Sequence, residues 1–262
     1  MKVSAIQMNM IFEEPEQNYL QAEQLVEEAS KGDCDVIVLP ETWNTGFFPK
    51  DNLEKYCDQN GQKTKALFSR LAKKYHKHII AGSVSDFRDG KCFNSSYIFD
   101  REGNVIANYD KTHLFSYMDE DKYYEKGGHI CTFNLDNVKC GIVICYDLRF
   151  LELVRTLALD GIEVLFIVAQ WPRVRLEHWM TLCKARAIEN QIYVVAVNSC
   201  GVAGETQYGG HSLMIDPWGN LICEGGDEAC TIEGILNIET IQEIRNTIHV
   251  FKDRRTELYQ LG

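Results

Sequence analysis

The same strand–helix–strand rhythm occurs twice in this chain, and that repetition narrows the fold more than any other feature. Residues 3–8 read as an apolar strand, residues 15–30 as a Glu/Gln-rich amphipathic helix, and residues 36–39 as a short continuous apolar strand. Residues 139–145, 151–159 and 164–168 repeat the order. The segments Gly32-Asp33-Cys34-Asp35-Val36-Ile37-Val38-Leu39 and Asp160-Gly161-Ile162-Glu163-Val164-Leu165-Phe166-Ile167 look alike, as a weak internal duplication would leave them. Further strands are predicted over residues 78–83, 95–99, 104–108, 193–198, 211–215 and 231–236, with a helix over 178–190. Turns fall at Arg88-Asp89-Gly90, Arg101-Glu102-Gly103-Asn104 and Asp216-Pro217-Trp218-Gly219-Asn220. No Pro/Gly/Ser-rich linker divides the chain. The expectation is one α/β domain over residues 1–262, with two sheets and helices outside them as a four-layer α-β-β-α sandwich.

Composition bounds the partners. At 262 residues and 45% hydrophobic content the chain buries a large core and is not disordered. A net charge of −11 argues against nucleic-acid and anionic-membrane surfaces, which call for a basic footprint, so a small molecule is the expected partner. Ten cysteines are scattered without a disulfide-framework spacing, which reads as a reduced, cytoplasmic protein. There is no C-x-x-C and no H-E-x-x-H, hence no signal for a metal, and no cofactor is expected. Met1-Lys2-Val3-Ser4-Ala5-Ile6-Gln7 has no secretory apolar core, and the apolar run 164–169 is too short to span a bilayer.

Working residues in such sheets belong at the carboxyl ends of strands. The strand over 36–39 runs into Pro40-Glu41, and the strand over 139–145 ends in Cys145 ahead of Tyr146-Asp147-Leu148-Arg149-Phe150. A thiol at a strand-to-helix turn is exposed by the turn, and a helix N-terminus beyond it favours thiolate. Read alone, Cys145 is equally an inert buried thiol, Glu41 a helix-start acid and Lys111 a surface cation. His113 invites a Cys–His dyad, although its place two residues from Lys111 fits a structural role better.

Three motifs in order change that balance: Glu41 followed by Thr42-Trp43-Asn44-Thr45-Gly46-Phe47, then Tyr109-Asp110-Lys111-Thr112-His113-Leu114-Phe115, then Cys145-Tyr146-Asp147-Leu148-Arg149-Phe150. Together they resemble the nitrilase, or carbon-nitrogen hydrolase, superfamily, from Met1 to the Asp253-Arg254-Arg255 tail. Gln170-Trp171-Pro172 and Ala185-Arg186-Ala187-Ile188-Glu189-Asn190-Gln191 are most similar to its omega-amidase-like branch, which hydrolyses small α-keto acid monoamides. The resemblance implies Cys145 as nucleophile, Glu41 as general base, Lys111 as oxyanion stabiliser and Glu120 as a second acid, although Glu120 sits in an acidic run that also reads as a solvated face. It further implies a homodimer formed by outer helices, drawing on residues 151–159 and 179–187. Phe47, Phe115, Tyr146 and Trp171 are candidate pocket walls, and Arg173 or Arg175 the nearest candidate for a substrate carboxylate. Arg149, Arg186 and Glu189 are expected as a buried ion-pair scaffold behind the site. A nitrilase, an N-carbamoyl amide hydrolase and a catalytically silent scaffold remain as alternatives.

Overall fold

The computed structural model describes residues 1–259. Two sheets dominate it. In the first, Lys2–Gln7, Val36–Val38 and His78–Ile80 run parallel, flanked by antiparallel Cys230–Ile235 on one side and Lys91–Phe99 on the other. In the second, Val138–Ile144, Val164–Ala169 and Tyr193–Asn198 are the parallel trio, flanked by antiparallel Thr132–Leu135 and Leu213–Ile215. The two copies of the rhythm read from the sequence supply two strands of each trio, and His78–Ile80 and Tyr193–Asn198 supply the third.

Alternation along these strands divides the core into layers. Val36 and Val38 of one sheet meet Ile142, Ile144, Phe166 and Val168 of the other in a shared inner core. Ile37, between them, turns outward with Ile6 onto Ala22 and Val26 of the helix Pro15–Ala29 and Phe68 and Leu71 of the helix Gln62–Tyr75. Val143, Leu165 and Ile167 pack likewise onto Val154 and Leu157 of Leu151–Leu159 and onto Trp179 and Cys183 of Leu176–Asn190. The result is the expected four-layer α-β-β-α sandwich. No helix among the described residues is long and apolar enough to cross a membrane.

Several elements depart from the sequence reading. The helix Gln62–Tyr75 and the strands Val84–Arg88 and Thr132–Leu135 lie where none was expected. The helix buries Thr64, Leu67, Phe68, Leu71 and Ala72, an apolar stripe at helical spacing interleaved with lysines. Between Cys145 and the helix Leu151–Leu159 lies a 3₁₀ turn, Cys145–Arg149, so the thiol does not stand at an α-helix N-terminus as expected.

The turn that carries Glu41 is clamped by the segment following His78–Ile80. Ser83 N donates to Pro40 O at 3.0 Å, Thr42 N to Ser83 Oγ at 3.0 Å, and the buried Trp43 indole to Ala81 O at 2.7 Å. Gly82 sits within this clamp at φ +63°, where a Cβ would stand 1.9 Å from Pro40 O. Gly82→Ala therefore forces the Pro40-Glu41 turn to move and is expected to destabilise the protein more than Gly161→Ala does. Gly161 faces open space at φ +92° and incurs only the left-handed-backbone strain, about 1–2 kcal/mol. Urea denaturation of the two variants checks this, and equal losses would show that the clamp does not constrain the turn.

Candidate active site

Cys145 has φ +47°, a left-handed conformation rarely adopted by residues other than glycine. Strain of this kind persists only where surrounding bonds over-determine it, at roughly 1–3 kcal/mol. Asp147 does this locally. Its fully buried carboxylate accepts from Ile144 N at 3.0 Å, Tyr109 Oη at 2.8 Å, Thr112 Oγ1 at 3.0 Å and His113 N at 2.9 Å. On the far side, Arg186 donates from Nε and Nη2 to Leu148 O at 3.2 and 2.9 Å. The His113 ring stacks on Phe150 with centroids 3.7 Å apart, and its Nδ1 lies 2.8 Å from Asp147. These contacts give His113 a structural place.

Behind the thiol lies a buried charge cluster. Lys111 Nζ donates to Glu41 Oε1 at 2.8 Å and to both Glu120 oxygens at 2.9 Å, and all three residues are at most 1% exposed. Asn94 Nδ2 donates to Glu41 Oε1 at 2.8 Å and reaches Glu120 Oε1 at 3.4 Å. Gln170 N donates to Glu41 Oε2 at 2.7 Å, and Phe115 N to Glu120 Oε2 at 2.6 Å. Each carboxylate is thus held by backbone as well as side chains, the condition under which buried charges are tolerated. Asn94 and Gln170 were not recognised as site residues from sequence. Gln170 follows the strand Val164–Ala169 directly, so the strand-end rule would have found it. Asn94 lies within Lys91–Phe99, where no sequence signal marks it.

The cluster opens on a pocket of about 400 Å³ including its mouth, lined by Cys145, Lys111 and Glu120 at one end. Phe47, Phe115, Tyr146 and Trp171 wall it, as does the buried Tyr208. Arg173 does not line the pocket. Its side chain is exposed and paired with Asp227, because it leaves the turn after Pro172 on the solvent side. Arg149 and Arg175 line the pocket instead. Arg149 is also no part of an ion-pair scaffold: Arg186 pairs with Glu189 at 2.8 Å, whereas Arg149 has no carboxylate partner among the described residues.

Electrostatics fix the resting protonation. Removal from water, followed by the Glu41 carboxylate, pushes the Cys145 thiol well above its ordinary value. The sequence expectation of a thiolate favoured by a helix N-terminus is therefore reversed: this thiol rests protonated. Burial alone would lower Lys111, but Glu120 and Glu41 override it and hold the ammonium charged. Burial raises Glu120, opposed by Lys111. A neutral thiol beside a carboxylate and a fixed ammonium is equipped for nucleophilic attack with proton transfer at the moment of reaction.

A four-layer sandwich whose strand ends converge on one largely aromatic pocket with a buried charge cluster at its base is the architecture of a nitrilase-type hydrolase. Comparison with known proteins specifies it: the carbon-nitrogen hydrolase family model matches residues 2–246, and the chain belongs to that family. It is 42% identical to the 2-oxoglutaramate amidase of Bacillus subtilis (strain 168), over 98% of each chain. It is 32% identical to the omega-amidase NIT2 of Mus musculus, over 92% of this chain and 91% of that one. Among solved structures, the CN-hydrolase superfamily protein XC1258 of Xanthomonas campestris superposes with a TM-score of 0.91 at 27% identity, covering 100% of this chain and 99% of the other.

The raised thiol has a measurable signature. Alkylation of Cys145 by iodoacetamide is expected to keep accelerating beyond pH 9.0, the ordinary thiol value, without levelling off near neutrality. Glu41→Gln removes a negative charge beside the sulfur, so the midpoint of that pH curve moves down even as the base is lost. Mass spectrometry of the Cys145 peptide reads both curves, and an unshifted midpoint would exclude Glu41 from the thiol's electrostatic environment.

Proposed function

We propose that this protein is a cysteine-dependent omega-amidase that hydrolyses the terminal amide of a small α-keto acid monoamide to the dicarboxylate and ammonia. The observation that carries this reading is the Lys111 ammonium held between the Glu41 and Glu120 carboxylates at the end of the pocket that also contains Cys145. The relatives named for 2-oxoglutaramate and omega-amide hydrolysis give the substrate class. One carbon-nitrogen hydrolase domain carries the reaction, and no cofactor is required by it.

In this mechanism Cys145 Sγ attacks the amide carbonyl while Glu41 takes the thiol proton. The tetrahedral oxyanion is stabilised by the Lys111 ammonium and the backbone N–H of Tyr146. Glu41 returns the proton to the amide nitrogen, the C–N bond breaks, ammonia leaves and a thioester remains. Glu41 then deprotonates a water that attacks the thioester, and the thiol is restored as the acid departs. Glu120 orients Lys111 throughout and, with Asn94, keeps Glu41 facing the sulfur.

Ten free thiols fit a reducing compartment such as the cytoplasm. The helices Leu151–Leu159 and Leu176–Asn190 commit one side to the sheet and leave Leu151, Leu159 and Ile188 exposed, which supports a homodimer through this layer.

Ammonia release from α-ketoglutaramate is expected to exceed that from simple nitriles and N-carbamoyl compounds by orders of magnitude in kcat/KM. Cys145→Ala is expected to abolish it, with a loss of roughly 10⁴-fold or more in kcat, and Lys111→Gln to cost roughly 10²–10³-fold. Coupled ammonia assay measures these. Preference for a nitrile or an N-carbamoyl compound would reassign the reaction within the family, and absence of turnover on every keto-acid amide would refute the proposal.

A further inference from the structure

A buried polar side chain nearly always finds a hydrogen-bond partner inside the protein, and one left over in a pocket calls for a partner from outside. Two pocket residues carry such atoms. They are the Tyr208 hydroxyl and Gln170 Oε1, each in a side chain 2% exposed and without a partner among the described residues. Thr42 Oγ1 and Asn94 Oδ1 are also unpaired, but neither residue lines the pocket. Tyr208 is fixed in place by its main chain: its N donates to Gly201 O at 2.9 Å, it bridges Pro172 as an antiparallel pair, and Gly209 N donates to Trp171 O at 2.9 Å. The Phe47 ring stands 6.3 Å from its own. Burial, then the Glu41 carboxylate and Cys145, raise the phenol well above its ordinary value and so keep it a donor. Thr206 acts against that shift without making a hydrogen bond to the hydroxyl.

The orientation of Gln170 follows from its surroundings. Its Nε2 faces two carbonyl oxygens, Glu41 O at 2.9 Å and Thr42 O at 3.4 Å, so the amide oxygen is turned away from both. Its backbone N takes Glu41 Oε2 at 2.7 Å, and that is the carboxylate oxygen with a lone pair free for a proton. Oε1 already accepts from Lys111 and Asn94, whereas Oε2 accepts from Gln170 alone. An unpaired acceptor thus belongs to the residue that grips the working oxygen of the base. The unpaired donor has that base and the nucleophile as its foremost charged neighbours.

We infer that Tyr208 and Gln170 hold the water that hydrolyses the thioester, Tyr208 Oη donating to the water oxygen and Gln170 Oε1 accepting one of its protons. This rests on the amidase reading and goes beyond it by giving the second half of the reaction residues of its own. The needs of the water match the site. One lone pair attacks the thioester carbonyl carbon and the other accepts from Tyr208; one O–H points at Glu41 Oε2, which removes that proton, and the other at Gln170 Oε1. Collapse of the tetrahedral intermediate breaks the C–S bond, Glu41 returns its proton to the sulfur, and the carboxylic acid leaves. In the first half Tyr208 has no such task. The single lone pair of the departing nitrogen takes the proton from Glu41, so none is left to accept from the phenol. Tyr208 therefore acts in deacylation alone, while Gln170 Oε1 accepts from an N–H or an O–H and serves both halves.

The test measures the two halves separately in Tyr208→Phe, which removes a hydroxyl that makes no bond in the protein and is expected to leave the urea midpoint unchanged or raised. Acetyl-enzyme is formed with para-nitrophenyl acetate; nitrophenolate release reads its formation, and intact-protein mass spectrometry reads its decay. Decay in water is expected to slow roughly 10- to 100-fold, with formation within about threefold of wild type. With α-ketoglutaramate, once deacylation limits turnover, kcat and KM fall together. Hydroxylamine separates a lost water contact from a distorted site: its nitrogen attacks with its only lone pair, so aminolysis of the acetyl-enzyme is expected to be insensitive to Tyr208→Phe, whereas a misplaced Cys145 or Glu41 would slow both reactions. Gln170→Met is expected to slow formation and decay alike. If no keto-acid amide is turned over while the acetyl-enzyme decays in this Tyr208-dependent way, the amidase reading fails and the water site stands. If decay in water is unchanged in Tyr208→Phe or in Gln170→Met, or if hydrolysis and aminolysis slow equally in Tyr208→Phe, the water site is overturned.

Discussion

Lys111 between Glu41 and Glu120 is the interaction on which the rest of the structure depends. Three ionised side chains taken out of water carry a desolvation cost of several kcal/mol each, and their mutual attraction offsets it only with good geometry and further hydrogen bonds. The site supplies both, with Asn94, Gln170 N and Phe115 N completing the carboxylates. The cluster carries one more negative charge than positive. The Cys145 thiol and the Glu120 carboxyl are raised first by burial, and the Lys111 ammonium by the two carboxylates against burial, so all three are shifted towards holding their protons. In the proposed reaction a site of this character keeps the Cys145 thiol neutral until a substrate carbonyl is present, and confines the thiolate to the reacting complex.

The fold exists, in this sense, to close that cluster across long stretches of sequence. Glu41 and Lys111 are 70 residues apart, and Glu41 and Gln170 are 129 apart, one from each sheet. Loops alone would not hold such groups to hydrogen-bond tolerance. Here Glu41 and Gln170 follow strands locked on both sides by parallel neighbours, with an apolar core beneath them, and Lys111 follows Val105–Asp110, which pairs with Lys91–Phe99. Two sheets packed face to face with their parallel strands ending at the same edge give two rigid rims, and the reacting groups are distributed between them. The strain at Cys145 is a local cost of this design. The turn must reverse sharply enough to expose the sulfur, and Asp147 and Arg186 hold it from either side.

How much of this was legible in the sequence follows from which forces leave a local mark. The parallel trios did, because strands covered on both faces read as continuous apolar runs, and residues 164–169 and 193–198 were placed within a residue of their observed ends. The helix Gln62–Tyr75 was missed although its buried positions follow helical spacing, because Lys63, Lys65, Lys73 and Lys74 dilute the pattern. Glu41, Lys111 and Cys145 stood in motifs that mark them. Asn94 had no such context: its role exists only once Lys91–Phe99 is folded against the turn holding Glu41. Arg173 and Arg175 were indistinguishable as letters, and the direction in which one 3₁₀ turn leaves Pro172 separates an exposed ion pair from a pocket wall.

Charge gives the last step of synthesis. The chain is strongly acidic, at −11, so an anionic substrate meets net repulsion at long range. Long-range repulsion is screened within about 8–10 Å at physiological salt, whereas charges in a low-dielectric pocket act at nearly full strength. Locally the balance inverts. Lys111, Arg149 and Arg175 line the pocket against the single lining carboxylate of Glu120, itself bound to Lys111. An acidic surface with a cationic pocket disfavours polyanions, whose many charges remain outside, and accepts a small anion whose one carboxylate enters. Selection of size and of charge therefore come from the same arrangement. Within that pocket the Lys111 ammonium is already neutralised by Glu41 and Glu120, whereas Arg149 and Arg175 have no carboxylate partner among the described residues, so the positive character of the lining comes from the arginines.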